Sequence, residues 1–270
     1  MPPGPAPMTP TRGLRFDITG LVDEITLGKC DGGHTWQCYI SSLICKTTSR
    51  RWCSTALRSR VDEVNYRRSI TGLVVIDPYN DFISEGGKVW DRLKGVAEAN
   101  GCVPHMSQVL ETTRDAGIQV FYALHHRYRP GDYENWKYIA PIQKAAWSRK
   151  TFEYGSWGGQ LRSEFEPRPG DIVAQEHWCS SGFANTDLDL LLKRHGIQQL
   201  IMMGLIAHTC LEATVRFGAE LGYEVTVVRD ATASYSDEEM HAALAINIPN
   251  YATAILSAKE IVDAISKSTA

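Results

Sequence analysis

The sequence predicts an α/β fold, a three-layer sandwich in which a mostly parallel, Rossmann-like sheet of about six strands is flanked by helices. Two observations carry this. Short, near-continuous apolar runs recur from Thr71 onward, as in strands covered on both faces. Between them lie amphipathic helical patterns, and a strand–helix alternation of this kind implies a parallel sheet with right-handed crossovers.

The strands are read in order. "GLVVID" (72–77) and "IQVFYALH" (118–125) come first, followed by "DIVAQEH" (171–177), "QQLIMMGL" (198–205), "YEVTVVRD" (223–230) and the weaker "YATAIL" (251–256). The helical patterns "MSQVLETTRDAG" and "DLDLLLKRHG" each end at a glycine, the usual helix stop, and "DEEMHAALAI" follows Ser236. Residues 126 to 170 form the one long connection, and such connections commonly serve as lids or binding loops.

Residues 1–68 read differently, as a poorly ordered N-terminal extension to a domain spanning 69–270. "MPPGPAPMTPTRG" is Pro-rich, and no sustained apolar period follows it. "CKTTSRRWCSTALRSR" has the Arg, Ser and Thr content of a transit peptide but is internal and preceded by acids, so the expected location is cytoplasmic with organellar targeting left open. The chain has 270 residues, a formal net charge of −3, 43% hydrophobic and 22% charged residues. That balance fits a soluble globular protein and excludes a basic nucleic-acid binder. No apolar run approaches the roughly 20 residues of a membrane span. Of the seven cysteines, Cys30, Cys38, Cys45 and Cys53 lie in the extension without the close pairing of common zinc sites.

Chemistry concentrates where "LIMMGLIAHTCLEATVRF" (200–217) passes from strand to helix. Thr209 and Glu212 match a capping box, which makes Thr209 the N-cap and Cys210 the first helical residue. A thiol there lies beyond the carboxyl end of a central strand, where ligand crevices form. The electropositive helix terminus favours thiolate, and free backbone N–H groups there can hold an oxyanion. Cys210 is thus either a nucleophile or a small buried hydrophobe. Asp77, at the end of the first strand on the same sheet edge, is either its general base or a turn residue before Pro78. Asp81 reads as a local turn or cap.

Together these segments resemble the isochorismatase-like cysteine hydrolase superfamily. The likeness runs from about Ser69 to Ile265, through "LVVIDPYNDFISEGG" and the stretch from "PRPGDIVAQEHW" to "VTVVRDATA". The resemblance implies a cofactor-independent Asp-Lys-Cys triad that cleaves C–N bonds of small amides or ureido compounds through a thioester. Asp77 is then the base and Cys210 the nucleophile. It also implies a cis peptide at Leu205–Ile206, with the Ile206 and Cys210 N–H groups forming the oxyanion hole. The chain departs from the family at the lysine: "AQEHWCSSGF" contains none, and ungapped spacing places His177 there. His177, Glu176 and Lys150 are the candidates for that role, and strand alternation sends Glu176 and His177 to opposite faces.

Tyr79, His125, Trp178, Phe183 and His208 are candidate substrate contacts, with His126 beside them. No metal is expected, because the Asp-x-His pattern of metal-binding relatives is missing after Asp77. Asp230 reads as a structural loop residue. The expected partner is a small-molecule substrate, with no nucleic acid and no membrane, and the expected assembly is a homo-oligomer. Two rival readings stand beside the hydrolase: a vinyl-ether-cleaving isochorismatase, which needs no thiol, and a binding protein of this fold that has lost turnover.

Overall fold

The computed structural model describes residues 65–268. The extension and its four cysteines lie outside the described residues, except for positions 65–68. Those four belong to the packed domain: Tyr66 is 2% exposed, and its hydroxyl donates to Thr226 Oγ1 at 3.1 Å.

Six strands form one wholly parallel sheet in the order β3-β2-β1-β4-β5-β6. They are β1 (Thr71–Ile76), β2 (Gln119–Ala123), β3 (Ile172–Val173), β4 (Gln199–Gly204), β5 (Glu224–Val228) and β6 (Ala254–Leu256). The helices are α1 (Asn80–Ile83), α2 (Trp90–Ala99), α3 (Cys102–Asp115), α4 (Pro141–Arg149), α5 (Leu188–Arg194), α6 (Glu212–Glu220), α7 (Asp237–His241) and α8 (Ala258–Ser268).

The period-2 alternation of each strand builds two cores. Leu73, Val75, Ile201 and Met203 pack with Leu93 of α2, Met106 and Leu110 of α3, and Ile261 of α8. Val74, Ile76, Leu200 and Met202 face the other way, against Leu188 and Leu192 of α5 and Val215 of α6. Every residue of β1 is buried, as the unbroken apolar run requires.

Two boundaries differ from the sequence reading. β3 was expected to run to His177 but pairs regularly over only two residues. It is an edge strand, and the Gln175 N–H turns to Asp187 Oδ1 at 2.7 Å instead of joining the ladder. Pairing resumes at an isolated parallel bridge between His125 and His177. The helix carrying the thiol begins earlier than the capping box implies, with a wide turn over Ala207–Leu211 ahead of α6. The cap fails because the Glu212 carboxylate pairs with Arg216 at 2.5 Å rather than turning back to Thr209. The "DEEMHAALAI" segment does begin at a Ser236 cap, whose hydroxyl accepts the Glu239 N–H.

The strand order reverses direction between β1 and β4. Crevices at such a switch point, beyond the carboxyl ends of the strands, are where open α/β sheets bind ligands. Gly204 allows β1 and β4 to close up there: its φ is 122°, and a Cβ would collide with the Ile76 carbonyl.

Candidate active site

Asp77 follows β1 directly, in a left-handed backbone conformation (φ 51°) that is uncommon outside glycine. It is fully buried. Oδ1 accepts the His125 N–H at 2.5 Å and lies 3.3 Å from His177 Nε2. Oδ2 is buried without an aligned hydrogen-bond partner, and the neighbouring group with a proton to offer is the Cys210 thiol.

Cys210 sits in the wide turn after β4 and is 4% exposed. Burial pushes the thiol well above its ordinary range, and the Asp77 charge and its hydrogen bond push the same way. The Thr209 hydroxyl and the Ile206 N–H pull it down by less. The sequence reading expected a helix terminus to favour thiolate. Desolvation and a buried carboxylate outweigh that dipole here, so the proton rests on sulfur. The Leu205–Ile206 peptide is cis, as the resemblance implied, and the Ile206 N–H is directed at the thiol.

His177, also 0% exposed, occupies the expected lysine place. Its Nδ1 lies 3.1 Å from the Cys179 carbonyl, which can only accept, so Nδ1 carries a proton. Nε2, 3.3 Å from Asp77 Oδ1, is buried and not aligned for a hydrogen bond to it. Glu176 does not reach Asp77. It is bound by Arg127 Nε at 2.6 Å and lies 3.2 Å from His126 Nδ1. Burial would raise its carboxyl, but the His126 and Arg127 hydrogen bonds prevail and hold it at about 2. Lys150 is exposed and does not line the cavity.

The thiol opens into a cavity of about 210 Å³. His125 and His208 line it as expected. His125 donates from Nδ1 to the His126 carbonyl at 2.8 Å. Burial, aided by the neighbouring His177, lowers its pKa to about 4, so it is neutral at physiological pH. Three expected substrate contacts stand elsewhere. Tyr79 lies behind Phe152, stacked at 4.3 Å, with its hydroxyl on the His125 carbonyl. Trp178 stacks on His126 at 3.7 Å. Phe183 packs against Phe217 and Tyr223 in the second core. Each aromatic is near the sheet edge in sequence but is used to support the walls.

The long connection supplies much of the cavity, through Gln143, Ala146, Arg149, Thr151 and Phe152. Arg92 of α2 and Arg149 are the charged lining residues that sequence reasoning missed, and Tyr235 is an aromatic one. Neither arginine lies in a motif, and only the tertiary fold brings them to Cys210. Among the described residues no cluster of three His, Cys, Asp or Glu side chains could hold a metal ion. Nor is any described helix long and apolar enough to cross a membrane.

A doubly wound parallel sheet with a buried acid and thiol at its switch point defines a class of α/β hydrolase. Residues 71–260 match the family model of the isochorismatase domain, and the chain belongs to that family. It is 32% identical to the ureidoacrylate amidohydrolase RutB of Caulobacter segnis, over 72% of this chain and 85% of that protein. The RutB of Pantoea ananatis is 28% identical, over 79% of this chain and 89% of that protein. Among solved structures, N-carbamoylsarcosine amidase from Thermoplasma acidophilum is similar with a TM-score of 0.54 at 27% identity, covering 70% of this chain and 96% of that one. A cysteine hydrolase from Pseudomonas syringae shares the fold, with a TM-score of 0.64 at 21% identity and 76% and 95% coverage.

Proposed function

We propose that this protein is a cysteine hydrolase that cleaves the C–N bond of a small amide or ureido compound through a thioester. The observation that carries the reading is the buried grouping of Asp77, His177 and Cys210 at the floor of a small cavity, with Cys210 lining it. The relatives named for ureidoacrylate and N-carbamoylsarcosine support the reaction class.

On this reading Asp77 Oδ2 takes the Sγ proton as sulfur attacks the substrate carbonyl. The Ile206 and Cys210 N–H groups receive the oxyanion. Asp77 passes the proton to the leaving nitrogen, and ammonia or an amine departs. Water, deprotonated by Asp77, then cleaves the thioester and the proton returns to sulfur. His177, 3.3 Å from Asp77 Oδ1, stands in for the family lysine beside the base. Vinyl-ether cleavage would leave the thiol without a use. Assembly as a homo-oligomer in the cytoplasm belongs to the same proposal, as does a domain that begins at Tyr66, a little before the expected residue 69.

Ammonia release across a panel of small ureas and amides tests it. Wild-type turnover should fall by at least about a hundredfold in Cys210→Ser, because a hydroxyl is far harder to ionise than a thiol. Mass spectrometry of the quenched wild-type reaction should show an acylated Cys210 peptide. A Cys210→Ser protein with most of its kcat would sink the covalent mechanism.

A further inference from the structure

Two guanidinium groups face the cavity that leads to Cys210, and no carboxylate lines it. Arg92 comes from the first turn of α2 and Arg149 from the last turn of α4. The Arg92 guanidinium lies flat over the Tyr235 ring, 3.8 Å from its centroid. Arg149 Nη1 touches the Ala145 carbonyl at 3.3 Å. Neither forms an ion pair with an acid among the described residues, although Arg114, Arg127, Arg162, Arg168, Arg216 and Arg229 all do.

Tyr235 ties the two arginines to the thiol. It lines the same cavity as both arginines and Cys210; burial raises its phenol, Arg92 and Arg149 oppose this, and Cys210 and Glu239 add to it. At the cavity floor the Asp77 charge is met by His177. Glu239, the acid beside this mouth, accepts the Tyr235 N–H at 3.0 Å and lies 3.7 Å from His208 Nε2, and it forms no ion pair with either guanidinium. Guanidinium groups bind carboxylates with paired, charge-assisted hydrogen bonds. The volume of about 210 Å³ suits a small molecule.

We propose that Arg92 and Arg149 form an anion site at the cavity mouth and that the substrate is a small amido or ureido acid. Its carboxylate is held by the two guanidinium groups while its carbonyl meets Cys210. The anion site stands on the arginines alone; the amide half rests on the function proposed above.

The test compares alkylation of Cys210 by iodoacetate and by iodoacetamide, near-isosteric reagents that differ in charge. In both, sulfur displaces iodide and the thiol proton is released, so the altered thiol pKa cancels in the ratio of rates. Peptide mapping separates Cys210 from the other six cysteines of the chain, and glutathione alongside gives the ratio for an open thiol. At low salt the iodoacetate-to-iodoacetamide ratio at Cys210 should exceed that of glutathione by about tenfold, the order of one charged hydrogen bond. It should collapse toward the glutathione value in Arg92→Gln/Arg149→Gln, fall with added salt, and survive in Arg92→Lys/Arg149→Lys. A wild-type ratio no higher than glutathione, or one kept by the Gln pair, overturns the anion site.

A second arm compares kcat/KM for 3-ureidopropionate and propylurea. Preference for the acid by about tenfold or more, lost in the Gln pair, supports the substrate class, and equal turnover of both ureas overturns it. If neither urea is hydrolysed, the result counts against ureido hydrolysis and with it the ureido acid, and the alkylation ratio still decides the anion site.

Discussion

Asp77, His177 and Cys210 set one another's proton occupancy because none can share its charge with water. The Asp77 carboxylate, together with burial, keeps the proton on the Cys210 sulfur. Removing the carboxylate charge therefore has two opposed consequences. In Asp77→Asn, burial alone holds up the thiol, so the pH midpoint for Cys210 alkylation by iodoacetamide should move down from its wild-type position. Ureido or amide turnover should nevertheless drop by about a hundredfold or more, the usual loss when a general base is removed. A midpoint that stays put or rises would show that Asp77 does not govern the thiol. At this scale the sequence was informative wherever a residue closes a strand. Asp77 and Cys210 each follow an apolar run, and parallel strands bring such positions to one edge. Alternation separated Glu176 from His177 correctly but could not say which faces inward. Arg127, 49 positions away and invisible to any local pattern, is what draws Glu176 outward. Arg92 and Arg149 were illegible for the same reason.

Among the elements, the connection between β2 and β3 is the one whose purpose the strand and helix patterns could not settle. Its length marked it as a binding loop, and it does wall the cavity, but what fixes it lies outside it. Asp81, in α1, is buried, and its carboxylate accepts the Lys88 N–H at 3.0 Å and the Phe152 N–H at 2.7 Å. It was read as a local turn residue, yet the second bond reaches across the chain to a residue lining the cavity. Phe152 itself has a φ of 57°, and Gly158 packs so close to the carboxylate that a Cβ would collide with it. Asp81→Ala would leave two amides without their acceptor, costing about 2–4 kcal/mol. The expected result is a lower Tm together with a raised KM, since Phe152 and Thr151 lose their anchor at the cavity wall. An unchanged KM with an unchanged Tm would show that the connection is held by its other contacts. The early start of the thiol-bearing helix teaches a related lesson. A capping box is a local pattern, and the Arg216 side chain one turn on competes for its glutamate.

At the level of the whole molecule, the apolar runs specified three layers, because strands buried on both faces need helices on both sides. They said less about where the domain begins. The first strand opens at Thr71, and nothing periodic precedes it, so the sequence placed the edge of the domain at residue 69. Tyr66 contradicts this. Its ring joins the core that contains Leu73 and Ile265, its hydroxyl bonds Thr226 of β5, and its N–H donates to Ser268 Oγ in α8 at 3.2 Å. A single aromatic next to polar neighbours has no period to reveal it, but it links the start of the domain to its last helix. Two truncated proteins separate the possibilities, one beginning at Asn65 and one at Ser69. Loss of a fully packed aromatic side chain costs about 3–5 kcal/mol, and about 2–4 °C accompanies each kcal/mol in a domain of this size. The chain starting at Ser69 should therefore melt on the order of 10 °C below the one starting at Asn65. Tyr66→Ala in the full-length protein should reproduce most of that difference, with Tyr66→Phe losing only the part due to the Thr226 hydrogen bond. Equal melting temperatures for the two truncated chains would mean that Tyr66 rests on the core without holding it, and the boundary would return to residue 69.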